Sequence, residues 1–152
     1  MKKIIISILI CCFIMFSLVG CTKNKNNFSI GKVSNIKILE KGVSLSIKDK
    51  TLTNKGVTLI LKNDSDYEIQ YGASEEIEIK KNGKWHKINV DTISILPIFI
   101  LKPQEQEEIV VEWEYEYGKL TPGNYRIIKS IGIEKKDKSY ETFYVSAEFI
   151  IK

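Results

Sequence analysis

From Ile36 to the C-terminus the apolar residues recur at every second position. Val43, Leu45 and Ile47 alternate with Ser44 and Ser46, and Val57, Leu59 and Leu61 repeat the pattern. Tyr67, Ile69 and Tyr71 alternate with Glu68 and Gln70, then Ile77 and Ile79 with Glu76, Glu78 and Lys80. Phe143, Val145, Ala147, Phe149 and Ile151 close the chain in the same way. A period of two places one set of side chains on each face of a strand, whereas a helix needs a period near 3.6. The enrichment in β-branched and aromatic residues agrees, and no stretch after Cys21 holds a persuasive helical period. Turn residues divide the runs at Asn54-Lys55-Gly56, Asn63-Asp64-Ser65-Asp66, Asn82-Gly83, Pro122-Gly123 and from Lys135 to Ser139. The predicted fold is all-β, an antiparallel β-sandwich of about seven or more strands, because two such sheets can bury their apolar faces against each other.

Two segments carry sharper expectations. In "IKKNGKWHKI" a two-residue Asn82-Gly83 turn pairs Ile79 with His86, whereas a three-residue loop with Gly83 left-handed pairs Ile79 with Trp85. Burying the larger indole removes more apolar surface from water, so the bulged loop is expected, with Trp85 inward and His86 exposed. "ISILPIFIL", residues 93–101, is the longest apolar run after Cys21. Nothing polar alternates within it and Pro97 bars a central ladder position. It reads as a crossing segment buried between the sheets, the alternative being an exposed apolar patch that docks a partner or a sheet edge open to strand addition.

The N-terminus follows another rule. Met1-Lys2-Lys3 precedes an uncharged run from Ile4 to Gly20, close to the roughly 20 residues of a membrane span and to the 7–15 of a secretory h-region. Its end separates the two: Leu18-Val19-Gly20-Cys21 resembles a bacterial lipobox, and a polar stretch follows. The resemblance implies removal of residues 1–20 as a lipoprotein signal peptide and a covalent diacylglycerol or acyl lipid, palmitate included, on Cys21; an uncleaved helical anchor is the alternative. Residues 21–35 are expected to form a lipid-anchored flexible tether, and residues 36–152 the folded domain. Cys11 and Cys12 lie in the h-region, so of the three cysteines only an acylated Cys21 remains, and no disulfide or thiolate cluster is expected.

Chemistry is sparse. The net charge is +4, of which Lys2 and Lys3 supply two, a balance that does not suggest nucleic acid as a partner. The one histidine, His86, has no G-x-S-x-G elbow to serve and too few companions for zinc. Glu112, Glu114 and Glu116 alternate with Val111, Trp113, Tyr115 and Tyr117. On one strand face they would stand about 7 Å apart, which invites comparison with paired acid/base carboxylates or a loose calcium site. An amphipathic strand with its acids in water explains the same pattern. "NDSD" at 63–66 is a weak calcium-loop match. No catalytic residue, metal site or further cofactor is expected.

"GVTLILKNDSDYEIQYG", "IEIKKNGKWHKI", "ILKPQEQEEIVVEW", "YGKLTPGNYRI" and "AEFII" together resemble the bacterial immunoglobulin-like domain family found in lipoproteins and beside membrane sensor peptidases. The resemblance implies an immunoglobulin-like sandwich whose E–F turn contains Tyr117, Gly118, Leu120, Pro122, Gly123 and Tyr125. The Tyr125 hydroxyl would bond back to upstream backbone; Trp85 and Trp113 complete this structural set. These residues imply a fold, and such folds host many roles. The expected role is a non-enzymatic interaction module on the outer side of the cell membrane. It would be lipid-anchored and monomeric as a domain, with an envelope protein or wall ligand as partner. The competing classes are a ligand- or ion-sensing lipoprotein and a wall-active enzyme using the acidic strand.

Overall fold

The computed structural model describes residues 28–90, 97–135 and 137–152. Among these residues ten strands alternate with tight turns: β1 (Ser29–Val33), β2 (Val43–Ile47), β3 (Gly56–Asn63), β4 (Ile69–Gly72), β5 (Glu76–Lys81), β6 (Lys84–Asn89), β7 (Ile98–Leu101), β8 (Gln106–Glu112), β9 (Gly123–Glu134) and β10 (Tyr140–Ile151). One helical turn, α1 (Glu114–Tyr117), interrupts them. The larger sheet runs β1-β6-β5-β9-β4-β7, with β10 also paired to β9; the smaller runs β2-β3-β8. All strand pairings are antiparallel, so the architecture is the expected all-β sandwich.

The twelve-residue β9 organises the larger sheet. One edge pairs first with β5, Tyr125 opposite Ile79, and then with β4, Ile131 opposite Tyr71. The other edge pairs with β10 along its whole length. The core is the inward phase of each alternating run: Leu59 and Leu61 from β3, Ile77 and Ile79 from β5, Tyr125, Ile127 and Ile131 from β9, and Phe143, Val145 and Phe149 from β10. Phe149 stacks between Trp113 and Tyr125, at centroid distances of 5.5 and 5.6 Å, in the offset geometry that aromatic quadrupoles favour. Gly56 lets β3 approach β8 closely: a Cβ there would lie 2.5 Å from the Val111 carbonyl oxygen. The strap before β2 bridges to β10, with the Leu39 amide donating to the Tyr144 carbonyl at 2.9 Å.

Several expectations are corrected. Residues 29–33, read as the end of the tether, form β1 and pair with β6. Short polar segments lack an apolar period of their own, so a strand added at a sheet edge is invisible to periodicity. The β5–β6 turn has two residues, not three: Lys80 faces Trp85 and Ile79 faces His86. Asn82 (φ 50°) and Gly83 (φ 76°) are both left-handed, as a type I′ hairpin requires, and its twist matches the strands. Trp85 therefore stands on the outer face, half-buried, while His86 points inward with Nδ1 3.2 Å from the Gly31 carbonyl of β1. The indole is compensated there by two cations, Lys80 Nζ at 5.0 Å and Arg126 Cζ at 4.8 Å from the ring.

The acidic strand is also cut short. β8 ends at Glu112 and the chain turns through Trp113 (φ −99°, ψ −1°) into α1. Trp113 and Tyr117, four apart on a helical turn, share the buried side, while Tyr115 is 89 % exposed. Glu112, Glu114 and Glu116 therefore form no ladder on one strand face.

Candidate functional site

β7 and β1 end the strand order of the larger sheet, and β7 is the more apolar of these two edges. Residues 91–96, the first part of the long apolar run, lie outside the described residues. The remainder is not buried between the sheets, in contrast to the expectation: Ile98, Phe99 and Ile100 are exposed, Ile98 at 69 %, and only Leu101 enters the core. A four-residue strand paired on one side alone cannot shield both faces of such side chains. Phe99 leans on Tyr71, ring centroids 5.5 Å apart. Antiparallel ladders alternate hydrogen-bonded and non-hydrogen-bonded pairs. The Ala73 amide donates to the Pro97 carbonyl at 3.2 Å, which sets the phase. Tyr71–Phe99 and Ile69–Leu101 are then the bonded pairs, so Ile98 and Ile100 turn their N–H and C=O groups away from β4. Among the described residues no strand takes them.

A polar cluster lies behind this edge, at the interface between the sheets. Lys129 sits on the inward phase of β9, wholly buried, with Nζ 2.7 Å from Glu75 Oε1 and 5.4 Å from the Tyr71 ring centroid. Burial is the largest influence on Glu75 and raises its pKa, while the Lys129 ammonium opposes the rise. The Tyr71 hydroxyl donates to Glu107 Oε2 of β8, tying the two sheets together. Burial and that carboxylate raise the Tyr71 pKa. Tyr117 is pushed up to about 12, chiefly by burial. Asn63 closes the far end: its Nδ2 donates to the Tyr67, Leu101 and Lys102 carbonyls at 2.8, 3.2 and 3.0 Å, and its Oδ1 accepts from the Ser65 amide and hydroxyl. The "NDSD" loop thus uses its first polar side chain to hold the chain just before β4 and at the end of β7.

On the outer face Arg126 meets Glu78 Oε2 through Nε at 2.7 Å and a terminal nitrogen at 2.6 Å, and both side chains are buried. Glu112 and Glu116, with Glu75, Glu76 and Lys87, line an open groove of about 730 Å³ between the β5–β6 hairpin and β8. Among the described residues no group of three or more His, Cys, Asp or Glu could hold a metal ion.

The residues singled out from the sequence are dispersed. Tyr125 is buried and its hydroxyl donates to the Thr121 carbonyl at 2.8 Å, four residues upstream. Trp113 is buried and donates from Nε1 to the Asn54 carbonyl at 3.0 Å. The Tyr117 hydroxyl reaches the Glu75 carbonyl at 3.5 Å, and Gly118 (φ 70°) ends α1. Leu120 is buried, Pro122 exposed, and Gly123 packs against the Tyr125 ring. Trp85 stands apart on the outer face. Cys21 lies outside the described residues. Among those residues no helix is long and apolar enough to cross a membrane. Sequence reasoning missed Lys129, Glu75, Glu78, Arg126, Tyr71 and Glu107. Lys129 alone carried a signal, a charged residue on the inward phase of "YRIIKSIGI".

Two packed antiparallel sheets with the Tyr125 hydroxyl bound back to its own turn define an immunoglobulin-like β-sandwich. Residues 39–150 match the family described as bacterial Ig-like domain, and the chain belongs to that family. Among solved structures it is similar to the ASH/PapD-like domain of human CEP192 (PapD-like domain 7). The identity is 12 %, with 80 % of this chain and 94 % of that chain covered and a TM-score of 0.31. No curated protein matches the chain.

Proposed function

We propose that this protein is a membrane-anchored lipoprotein on the outer side of the cell membrane, whose immunoglobulin-like domain is a non-catalytic interaction module working by strand addition at β7. The observation that carries the reading is the β7 edge, where the Ile98 and Ile100 backbone groups point outward beside exposed apolar side chains. A sheet edge of this kind supplies main-chain hydrogen bonds to an extended segment, and the alternate side chains select it. Soluble proteins normally blunt such an edge with charge or proline; here Pro97 precedes the strand, and among the described residues no charged side chain stands within it. The lipobox-like Leu18-Val19-Gly20-Cys21 supports anchoring through Cys21, and a short tether would raise the local concentration of the domain near membrane partners.

The test is in-cell crosslinking of tagged full-length protein, followed by mass spectrometry. Wild type should recover one envelope protein in stoichiometric amount. Ile100→Pro removes an outward N–H without touching the β4–β7 ladder and should abolish that recovery while leaving the unfolding midpoint unchanged. Equal recovery by Ile100→Pro would refute strand addition. Cys21→Ser should eliminate metabolic fatty-acid labelling, and persistent labelling would refute the anchor.

A further inference from the structure

The β5–β6 hairpin carries a feature that strand addition at β7 does not use. Lys80, Lys81 and Lys84 surround the uncharged Asn82-Gly83 tip, all exposed. Among the described residues none of the three takes part in an ion pair, whereas Lys87, further down the hairpin, is neutralised by Glu76 at 3.0 Å. Trp85 lies half-buried on the outer face at the same tip, its ring held between Lys80 and Arg126. The nearest buried acid on that face, Glu78, is already engaged by Arg126. Lys152, following Ile151 opposite Gly123, lies at this end of the sandwich too.

We infer that this hairpin tip docks onto the anionic headgroups of the bilayer to which the chain is tethered, a reading that rests on the Cys21 anchor proposed above. Charge complementarity is one argument: unpaired lysines near an anionic surface each add attraction, and an amphipathic indole is at home at the headgroup level. The length of chain before the described residues is the other. β1 enters at the Asn89 end of β6, opposite the hairpin tip, and β6 from Lys84 to Asn89 spans about 17 Å. The stretch from Cys21 to Ser29 reaches at most about 27 Å when extended. The tether is thus longer than the strand, and the domain can lie along the membrane with Lys80, Lys81, Lys84 and Trp85 against it. Docking in this pose would fix the orientation of the β7 edge relative to the surface.

The experiment uses the full-length lipidated protein in vesicles containing lipids brominated near the headgroup, with tryptophan quenching as the readout. The chain has two tryptophans; Trp113 is buried in the core, and a Trp85→Phe variant gives its share of the signal. In vesicles rich in phosphatidylglycerol Trp85 should be quenched, and at about 0.5 M salt the quenching should fade. A Lys80→Gln, Lys81→Gln, Lys84→Gln variant should lower the docked-to-undocked ratio by about fivefold per lysine, with an unchanged unfolding midpoint. Protein that floats with the vesicles yet leaves Trp85 unquenched, or is quenched equally in purely zwitterionic vesicles, overturns the docking and leaves the anchor standing. Loss of Trp85 quenching on adding a soluble glycerophosphate polymer at equal total phosphate, with the protein still floating, also overturns it, and points to a wall polymer. Protein that does not float overturns the anchor and the docking together.

Discussion

Lys129 Nζ lies 2.7 Å from Glu75 Oε1, inside a sandwich whose neighbouring inward positions are Ile127 and Ile131. The lysine is fully buried and the glutamate retains a small exposed fraction, so the pair is asymmetric: the carboxylate has some access to water and the ammonium has none.

That asymmetry predicts unequal mutants. Glu75→Gln strands a buried ammonium and should cost about 3 kcal/mol, near the low end for breaking a buried pair. Lys129→Met keeps the volume, stacks on Tyr71, and leaves a carboxyl that can reach water or take up a proton; it should cost less than about 1 kcal/mol. Urea unfolding of both variants decides the matter, and equal losses would contradict it.

The two tryptophans should separate as sharply. Trp113→Ala opens a cavity beside Phe149 and removes one of the two donors to the Asn54 carbonyl, the Leu120 amide remaining, at a cost of about 3–5 kcal/mol. Trp85→Ala removes an outer-face ring held by two cations and should cost about 1 kcal/mol. Thermal unfolding of the pair checks the two-residue turn independently, since a bulged hairpin with Trp85 inward would make the two losses similar.

Asn63→Ala should be among the most damaging polar substitutions. It removes the donor shared by the Tyr67, Leu101 and Lys102 carbonyls and the acceptor for Ser65, at a cost of about 2–3 kcal/mol for the groups left unpaired. Hydrogen exchange should quicken first in β7, whose C-terminal end this side chain holds.

Alkaline pH should unfold the protein through its tyrosines. Tyr117 is raised to about 12, and Tyr71 and Tyr125 are also raised, with burial the leading cause in each. An acid with a raised folded pKa binds its proton more tightly when folded, so its stabilising effect relative to the unfolded chain falls as pH climbs from about 10. For Tyr117 the loss continues to about pH 12 and amounts to on the order of 2 kcal/mol. Tyr117→Phe should flatten that slope in circular dichroism across the same range; an unaltered slope would count against it.

How much of this was legible in advance depends on the range of the interaction. The sandwich, most of its strands and nearly all core residues follow from alternation, a property each strand carries within itself. The Tyr125 hydrogen bond to Thr121 spans only four residues, and it was the resemblance to a family, not alternation, that implied a hydroxyl bound back there. The hairpin was misread because a burial rule outweighed turn chemistry: Asn-Gly is the stronger local signal, and Arg126, distant in sequence, gives the outward indole its partner. β1 was missed because its pairing comes from β6 rather than from any periodicity of its own.

The sequence by itself determined the fold class, the inward phase of the long strands and the lipobox-like N-terminus, because these depend on spacing along the chain. Only the tertiary structure decided that Ile98 and Ile100 face outward at a sheet edge, that Lys129 finds Glu75 across 54 residues, and that Trp85 sits between two cations. Edges, buried ion pairs and cation–π contacts are relations between segments brought together by folding. No local pattern encodes which strand is last in a sheet or which charge will meet another.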